Sequence, residues 1–258
     1  MNKFIKHMLG RFYWHEHSAH LKYKGSWKND VFHGKGQLKY SNGSLFKGTF
    51  QNGSKDGFGT IVSSSGYKYA GDWISGKKNG FGKINYKNGD IYTGQVVDGL
   101  RHGLGALHIA SSGWKFKGIW TREQITGAVE IATTEWTFRG KMTEINAPMH
   151  GKMLYFDKSV YIGEILGFQR YGQGILTKRC GDCISGIWSD DVNVEDATRT
   201  DSQGIFWKGS LRNLKSEGFM QVRLPNGQEY DGVWESEDMM RVLSVYNRER
   251  EPKPYVIH

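Results

Sequence analysis

The sequence predicts an all-β protein, an elongated single-layer antiparallel β-meander of about ten stacked 23-residue β-hairpins. Three observations predict this fold class. A short element, aromatic–Lys–Gly–x–aromatic in its clearest form, begins at Tyr23 and returns at intervals of 22 to 24 residues. A pair of glycines two residues apart follows most copies, and turn-forming pairs such as Asn42-Gly43 separate the elements.

The aromatic element is the first strand of each predicted hairpin. Its leading aromatic residue, its glycine and its second aromatic residue are spaced by two, so in a strand they share one face. We number positions in each repeat from the leading aromatic residue, which is position 0. The clear copies start at Tyr23, Phe46, Tyr69, Tyr92 and Phe116, and weaker copies start at Phe138, Tyr161, Ile184, Trp207 and Tyr230.

The glycine pair opens the second strand of each predicted hairpin. Gly34 and Gly36 stand at positions 11 and 13 of the first repeat, and Leu38 follows at position 15. Later repeats place apolar residues at the same point, and period-2 spacing of this kind is typical of a half-buried strand. Asn52-Gly53 and Asp98-Gly99 are turn formers between the two strands, so each unit is predicted to be a hairpin.

This combination resembles the membrane occupation and recognition nexus (MORN) repeat. The clearest copy is Tyr23-Lys-Gly-Ser-Trp27, followed by His33-Gly34-Lys35-Gly36 and Asn42-Gly43. Residues 23–115 match the pattern closely, whereas residues 116–234 keep the phase and lose many signature positions. The resemblance implies a fold of hairpin repeats. Such repeats occur in scaffolds, membrane-junction proteins and ciliary components and beside enzyme domains.

The pattern divides the chain into four segments. Residues 1–22 are predicted to be an N-terminal capping or docking segment, with a partner or membrane helix and a targeting sequence as alternatives. Residues 23–115 are four regular repeats, and residues 116–234 are degenerate repeats of the same array. Residues 235–258 form a C-terminal tail, interpreted either as an anchor in an assembly or as the end of the sheet.

Charge is distributed unevenly along the chain. Residues 1–115 contain 17 Lys+Arg and 6 Asp+Glu, and residues 116–258 contain 18 and 20, which gives the net charge of +9. Position 1 of several repeats is basic, which predicts a basic face opposite the aromatic residues, made of Lys24, Lys47, Lys117, Arg139 and Lys208. An anionic membrane, a tubulin tail or another acidic protein would complement it. The alternative is a solvated face that prevents sheet aggregation.

No pattern typical of catalysis or of cofactor binding occurs. Cys180 and Cys183 flank a predicted turn and supply only half of a zinc site, which is typical of free thiols in a reducing compartment. His33 and His102 fall at a turn position that Asp56 and Asn79 fill in other repeats. We therefore expect no enzyme activity, no cofactor, no metal and no nucleic-acid partner.

Two groups of residues are candidate binding sites. An aromatic comb is predicted to form a groove that holds a partner segment, because a single-layer sheet needs cover for its apolar face. An acidic loop is predicted in the eighth repeat, with a decayed repeat as the alternative. The comb is Tyr23, Trp27, Phe50, Tyr69, Trp73, Tyr92, Phe116 and Trp120, and the acidic loop contains Asp190, Asp191, Glu195 and Asp196.

The function expected from these features is a non-catalytic scaffold or adaptor. It would bind a partner protein or bridge subunits of a larger assembly, cytoplasmic and in the cytoskeleton or a cilium (axoneme). One alternative is a peripheral membrane tether that binds anionic phospholipids through the basic N-terminal half. Another is an accessory subunit of an enzyme complex.

Overall fold

The computed structural model describes residues 15–18, 21–144, 147–236 and 239–246. All regular elements in these ranges are β-strands joined by turns. The strands pair antiparallel with their sequence neighbours, which confirms the predicted meander of hairpins. The chain divides into two compact units, residues 1–133 and 134–258.

The first unit contains eleven strands within its described residues. Each strand from β1 to β10 pairs with the next strand in the chain, ending at β11. The strands are β1 (His15–Ser18), β2 (Leu21–Lys28), β3 (Val31–Tyr40), β4 (Leu45–Gln51), β5 (Ser54–Val62), β6 (Lys68–Ile74), β7 (Lys77–Asn85), β8 (Ile91–Val97), β9 (Leu100–His108), β10 (Lys115–Thr121) and β11 (Gln124–Ala132).

The second unit repeats this architecture with ten described strands. Successive strands again pair antiparallel, and the residues that open the weak repeats lie in the first strand of each hairpin. The strands are β12 (Trp136–Met142), β13 (Met149–Tyr155), β14 (Val160–Leu166), β15 (Gln169–Thr177), β16 (Cys183–Trp188), β17 (Val194–Thr200), β18 (Phe206–Arg212), β19 (Lys215–Arg223), β20 (Glu229–Ser236) and β21 (Met239–Tyr246).

Two predicted terminal segments lie partly outside the described residues. Within the N-terminal segment, His15–Ser18 forms β1 and pairs with β2. Within the C-terminal tail, Met239–Tyr246 forms β21 and pairs with β20. The described part of the tail is thus a strand of the last hairpin. The remainder of both predictions, residues 1–14 and 247–258, falls outside the description.

The hairpin of the fourth repeat shows why its glycines are needed. Asp98 and Gly99 both have positive φ, 52° and 88°, which is the type I′ geometry that tight hairpins favour. Gly94 pairs with Gly105, and the next pair is Val96 with Arg101, so β9 contains a bulge. Gly103 lies in that bulge at φ 54°. The first glycine of the pair therefore provides a backbone conformation that other residues rarely adopt.

The second glycine of the pair provides room for an aromatic ring. A Cβ on Gly105 would lie 2.2 Å from Oη of Tyr92, and one on Gly94 would lie 2.7 Å from the same oxygen. The Tyr92 ring therefore lies across two paired glycines, and its hydroxyl donates to the Gln95 carbonyl at 2.7 Å. Tyr23, Tyr69 and Tyr161 repeat this arrangement. The core of these four hairpins is a ring packed on bare backbone.

Candidate partner-binding surface

The aromatic comb lies in the interior of the first unit. Six of its eight side chains are buried, and only Trp27 and Phe116 are half-buried. Neighbouring rings meet edge to face, as with Tyr92 and Trp120 at 5.6 Å and 83°. The Trp120 indole also donates to the Gly105 carbonyl at 3.1 Å. The comb therefore packs the repeats together, and its role as a partner groove stays a prediction.

Burial of three comb tyrosines and of Tyr67 makes the first unit sensitive to alkaline pH. Burial raises the pKa of Tyr23, Tyr67, Tyr69 and Tyr92 to about 12, from about 10 in an exposed tyrosine. Since these values are raised in the folded state, their contribution to stability is complete below pH 10 and is lost as the pH rises towards 12. We expect unfolding in that interval, measured by circular dichroism together with tyrosinate absorbance.

The urea-unfolded chain is the control for this titration, and its tyrosines should ionise near pH 10. Tyrosinate absorbance and the loss of β-sheet signal should rise together in the folded protein. Ionisation of these four groups near pH 10 with an intact sheet would contradict the expectation.

A column of cations packs against the comb. Lys55 Nζ lies 4.7 Å from the Trp73 ring centroid, Lys78 Nζ lies 4.4 Å from that of Tyr67, and the Arg101 guanidinium lies 4.4 Å from that of Trp120. Burial lowers the pKa of both lysines. The sequence analysis did not identify these residues, although all of them stand at position 9 of their repeats. They lie over the ring faces in cation–π contact.

The predicted basic residues lie on the sheet face opposite the comb, which we call the lysine face. In the first unit, Lys47 and Lys117 are exposed and Lys24 is half-buried. Cross-strand pairs join them into a row with Lys83 of β7, and Glu130 stands at its end opposite Lys117. In the second unit, Arg139 and Lys208 are exposed at the equivalent positions. The alternation of each strand explains this placement.

The lysine face of the first unit also carries large exposed apolar side chains. Phe58 is 64% exposed, Phe81 61% and Leu104 65%. Each stands at position 12, between the two glycines of the pair, in three consecutive repeats. Exposed apolar residues that recur at one position form a regularly spaced row, which is unusual on a solvated surface. The sequence analysis missed this row although the period-2 alternation points position 12 away from the comb.

The predicted acidic loop is wrong in one respect, since half of it is a strand. Glu195 and Asp196 lie in β17, which pairs with β16 and β18. Asp196, at position 12, has a φ of 46° at an irregularity of β17, whereas in other repeats a glycine at position 11 has the positive φ. Asp190 belongs to the preceding turn, and its pKa is lowered because the amides of Val192 and Asn193 donate to its carboxylate. The residues therefore serve the hairpin itself.

Asp191, the fourth residue of this group, forms an ion pair with Arg170 of β15. The Arg170 Nε lies 3.3 Å from Asp191 Oδ1, and the Arg170 backbone amide donates to the same oxygen at 3.0 Å. The Arg170 guanidinium also lies 4.7 Å from the Trp188 ring centroid. Arg170 stands at position 9 and is buried, so it is the counterpart of Arg101 in the second unit. Asp191 is thus committed to packing between two hairpins.

The two cysteines are free and border a turn, as expected. Cys180 is exposed and Cys183 is half-buried, on either side of Gly181 at φ 100°. Burial would raise the pKa of Asp182 in this turn, but hydrogen bonds from the Cys180 thiol and the Arg199 guanidinium outweigh it and lower the pKa. An open cavity of about 770 Å³ adjoins Cys180. Its lining combines the basic residues Arg170, Lys178 and Arg179 with the acidic residue Asp157.

The described residues contain neither a metal-binding cluster nor a helix able to cross a membrane. No cluster of three or more His, Cys, Asp or Glu side chains with metal-binding geometry occurs within those ranges. In the same part of the chain, no helix has the length and apolar character needed to cross a membrane.

The folded repeats and their two unlike faces define a β-hairpin repeat protein. The MORN repeat family matches four consecutive segments of the first unit, residues 23–45, 46–66, 69–91 and 92–113. Residues 23–113 therefore contain four MORN repeats, and the resemblance seen in the sequence is confirmed there. No curated protein matches the sequence.

Three solved structures are similar in strand architecture. The G-box domain of the microcephaly protein CPAP is 11% identical with a TM-score of 0.45, covering 72% of this chain and 98% of that one. The TCP10 domain of Danio rerio CPAP is 10% identical with a TM-score of 0.47, covering 82% and 99%. The TCP domain of Drosophila melanogaster SAS-4, in complex with a proline-rich motif of Ana2, is 15% identical with a TM-score of 0.28, covering 77% and 83%. At these values the similarities carry no argument about function.

Proposed function

We propose that this chain is a non-catalytic scaffold or adaptor that binds a partner protein through the lysine face of its first unit. The observation that carries the proposal is the row of Phe58, Phe81 and Leu104, each more than 60% exposed. Large apolar side chains exposed at one position of consecutive repeats lose unfavourable contact with water when a partner covers them. Fold-level analogy to MORN scaffolds in the cytoskeleton or in cilia supports the same class of function.

The backbone environment of this row favours a binding role over internal packing. Asp72 accepts a hydrogen bond from the Phe81 amide at 2.9 Å, and Gln95 accepts one from the Leu104 amide at 3.1 Å. The polar ends of the Asp72 and Gln95 side chains are therefore turned towards the strands. The rings and the leucine project beyond them without apolar cover within the described structure. A protein partner with an apolar contact surface would cover these exposed side chains.

A second candidate function is a peripheral membrane tether. The exposed lysines of the same face favour it, since each basic residue near an anionic leaflet contributes about 1 kcal/mol to binding. This function predicts that binding follows lysine content and disappears in high salt. The scaffold function instead predicts dependence on the apolar row.

The test compares partner recovery by the intact protein and by a variant with Phe58→Thr, Phe81→Thr and Leu104→Thr. Threonine has the β-branched shape that strands favour, and exposed substitutions usually change stability by less than about 0.5 kcal/mol. We expect proximity labelling and pull-down to lose specific partners by about tenfold in the variant. Circular dichroism checks that the variant folds.

The matched control replaces three exposed strand residues of the second unit, Ile162→Thr, Ile175→Thr and Phe219→Thr. These side chains are 50%, 50% and 53% exposed, so the control removes similar apolar area. The proposal predicts normal partner recovery by the control. Equal partner recovery by both variants would contradict the scaffold proposal. Vesicle binding that only lysine substitutions abolish would support the membrane function instead.

A further inference from the structure

We infer that the partner segment is an amphipathic α-helix that lies across the strands of the first unit, with apolar residues seven apart and acidic residues on one flank. This inference rests on the proposed scaffold function and specifies the chemistry of the partner. The lysine face supplies three independent measures of that segment: the spacing of its apolar contacts, the width of its apolar stripe and the side on which its charge lies.

The row runs perpendicular to the strands, and the polar residues Asp72 and Gln95 alternate with Phe58, Phe81 and Leu104. Phe58 pairs across strands with Asp72, and Phe81 pairs with Gln95. The hydrogen bonds from Phe81 to Asp72 and from Leu104 to Gln95 join these pairs within each hairpin. Leu104 then pairs with Ile119, which is 47% exposed. Six adjacent strands, β5 to β10, therefore carry one row of side chains on one face.

The spacing of this row matches a seven-residue helical repeat. Phe58, Phe81 and Leu104 stand on every second strand, β5, β7 and β9. Two spacings of about 4.8 Å between neighbouring strands place consecutive members of the row about 10 Å apart. Seven residues of α-helix advance about 10.5 Å and return to nearly the same face, with a drift of about 20°. Six residues advance about 9 Å but rotate the side chain about 120° away. Ile119 lies one strand beyond Leu104. To contact it, the partner helix needs a fourth apolar residue three or four positions after its third.

The width of the apolar area favours a helix over an extended peptide. Ile74, Val97 and Leu100 form a second exposed apolar group on the same face, between 40% and 54% exposed. Ile74 and Val97 stand two residues from the row along β6 and β8, a lateral step of about 6.8 Å. An apolar stripe at least about 100° wide on an amphipathic helix covers both groups. A polyproline segment contacts one row at a time.

The charge of the face sets the orientation of the partner. On the side of the row away from Val97, a step of two residues leads from Phe81 to Lys83 and from Ile119 to Lys117. One step further along the same face stand the exposed lysines Lys68 and Lys115. Acidic residues on that flank of the helix would meet them at the rim of the contact. Such rim charges guide association and fix orientation and weaken with salt.

The test measures binding of the intact chain to three synthetic peptides by fluorescence anisotropy. The first peptide has leucines at positions 1, 8, 15 and 19 with glutamates on one flank. The second has the same composition with the leucines five residues apart, which spreads them around the helix. The third is a polyproline II peptide with a proline at every third position and glutamates between. Vesicles containing phosphatidylserine are measured in parallel.

We expect the first peptide to bind at least about tenfold more tightly than the second and third, with affinity falling as salt rises. The Phe58→Thr, Phe81→Thr, Leu104→Thr variant should lose that binding, and the second-unit control should keep it. Equal binding of the first two peptides, tighter binding of the third, or binding to vesicles alone would overturn the helix inference. If the variant still loses its cellular partners in that case, the scaffold function stands and only the kind of partner is wrong.

Discussion

Replacing Gly105 with alanine is expected to destabilise the first unit by about 3 kcal/mol, at the upper end of the usual cost of overpacking. A Cβ at this position would lie 2.2 Å from the Tyr92 hydroxyl oxygen and 2.6 Å from two ring carbons. The ring is fully buried and its hydroxyl is held by Gln95, so it has no free direction in which to move. Urea unfolding followed by circular dichroism measures the loss.

Gly99→Ala separates ring packing from the conformational preference of glycine. Gly99 has a φ of 88° and no atom within 4 Å of an added Cβ, so alanine there costs only the left-handed backbone, about 1 to 2 kcal/mol. Gly105 does not have a positive φ, so the whole free-energy cost of an alanine there comes from its contact with the Tyr92 ring. A cost at Gly105 no larger than at Gly99 would contradict the packing role of the second glycine.

Replacing Asp191 with alanine is expected to destabilise the second unit by about 2 kcal/mol. The change removes the carboxylate that receives both the Nε and the backbone amide of Arg170, whose side chain is 11% exposed. Breaking a buried pair from one side costs about 3 to 5 kcal/mol, and the partial exposure of Asp191 reduces that figure. Hydrogen exchange of the amides of β15, β16 and β17, together with urea unfolding, measures the effect.

The exposed pair between Arg212 and Glu217 provides the matched control. Its atoms are 2.8 Å apart, closer than the Arg170–Asp191 pair, but its side chains are 71% and 52% exposed. Glu217→Ala should therefore cost less than about 0.5 kcal/mol. Equal costs at Asp191 and Glu217 would mean that Arg170 contributes to packing through Trp188 rather than through its charge.

The fold class was predictable from sequence because each part of the repeat has one structural consequence. The alternation at Tyr92, Gly94 and Val96 places three residues on one face of a strand, and Asp98-Gly99 closes it with a tight turn. These are local relations, decided within about twenty residues, and they recur. The same relations predicted the placement of Lys47 and Lys117 on the face opposite the comb.

The candidate surface was less predictable because exposure depends on neighbouring repeats. The comb was identified as a set, but Tyr92 and Trp120 bury each other across a hairpin boundary, together with the cation Arg101. Period-2 alternation already points Phe58, Phe81 and Leu104 away from the comb. The cross-strand register decides that they stand in one row, with Asp72 and Gln95 on the strands between them.

The sequence by itself determined the hairpin repeat, its turns and the separation of aromatic and basic faces, because backbone geometry and period-2 alternation are local. Tertiary structure alone decided which apolar residues are available to a partner. It buried the comb by ring-on-backbone packing between repeats, and it turned Asp191 into an internal counter-ion of Arg170. Burial is a property of several strands together, and no single repeat contains it.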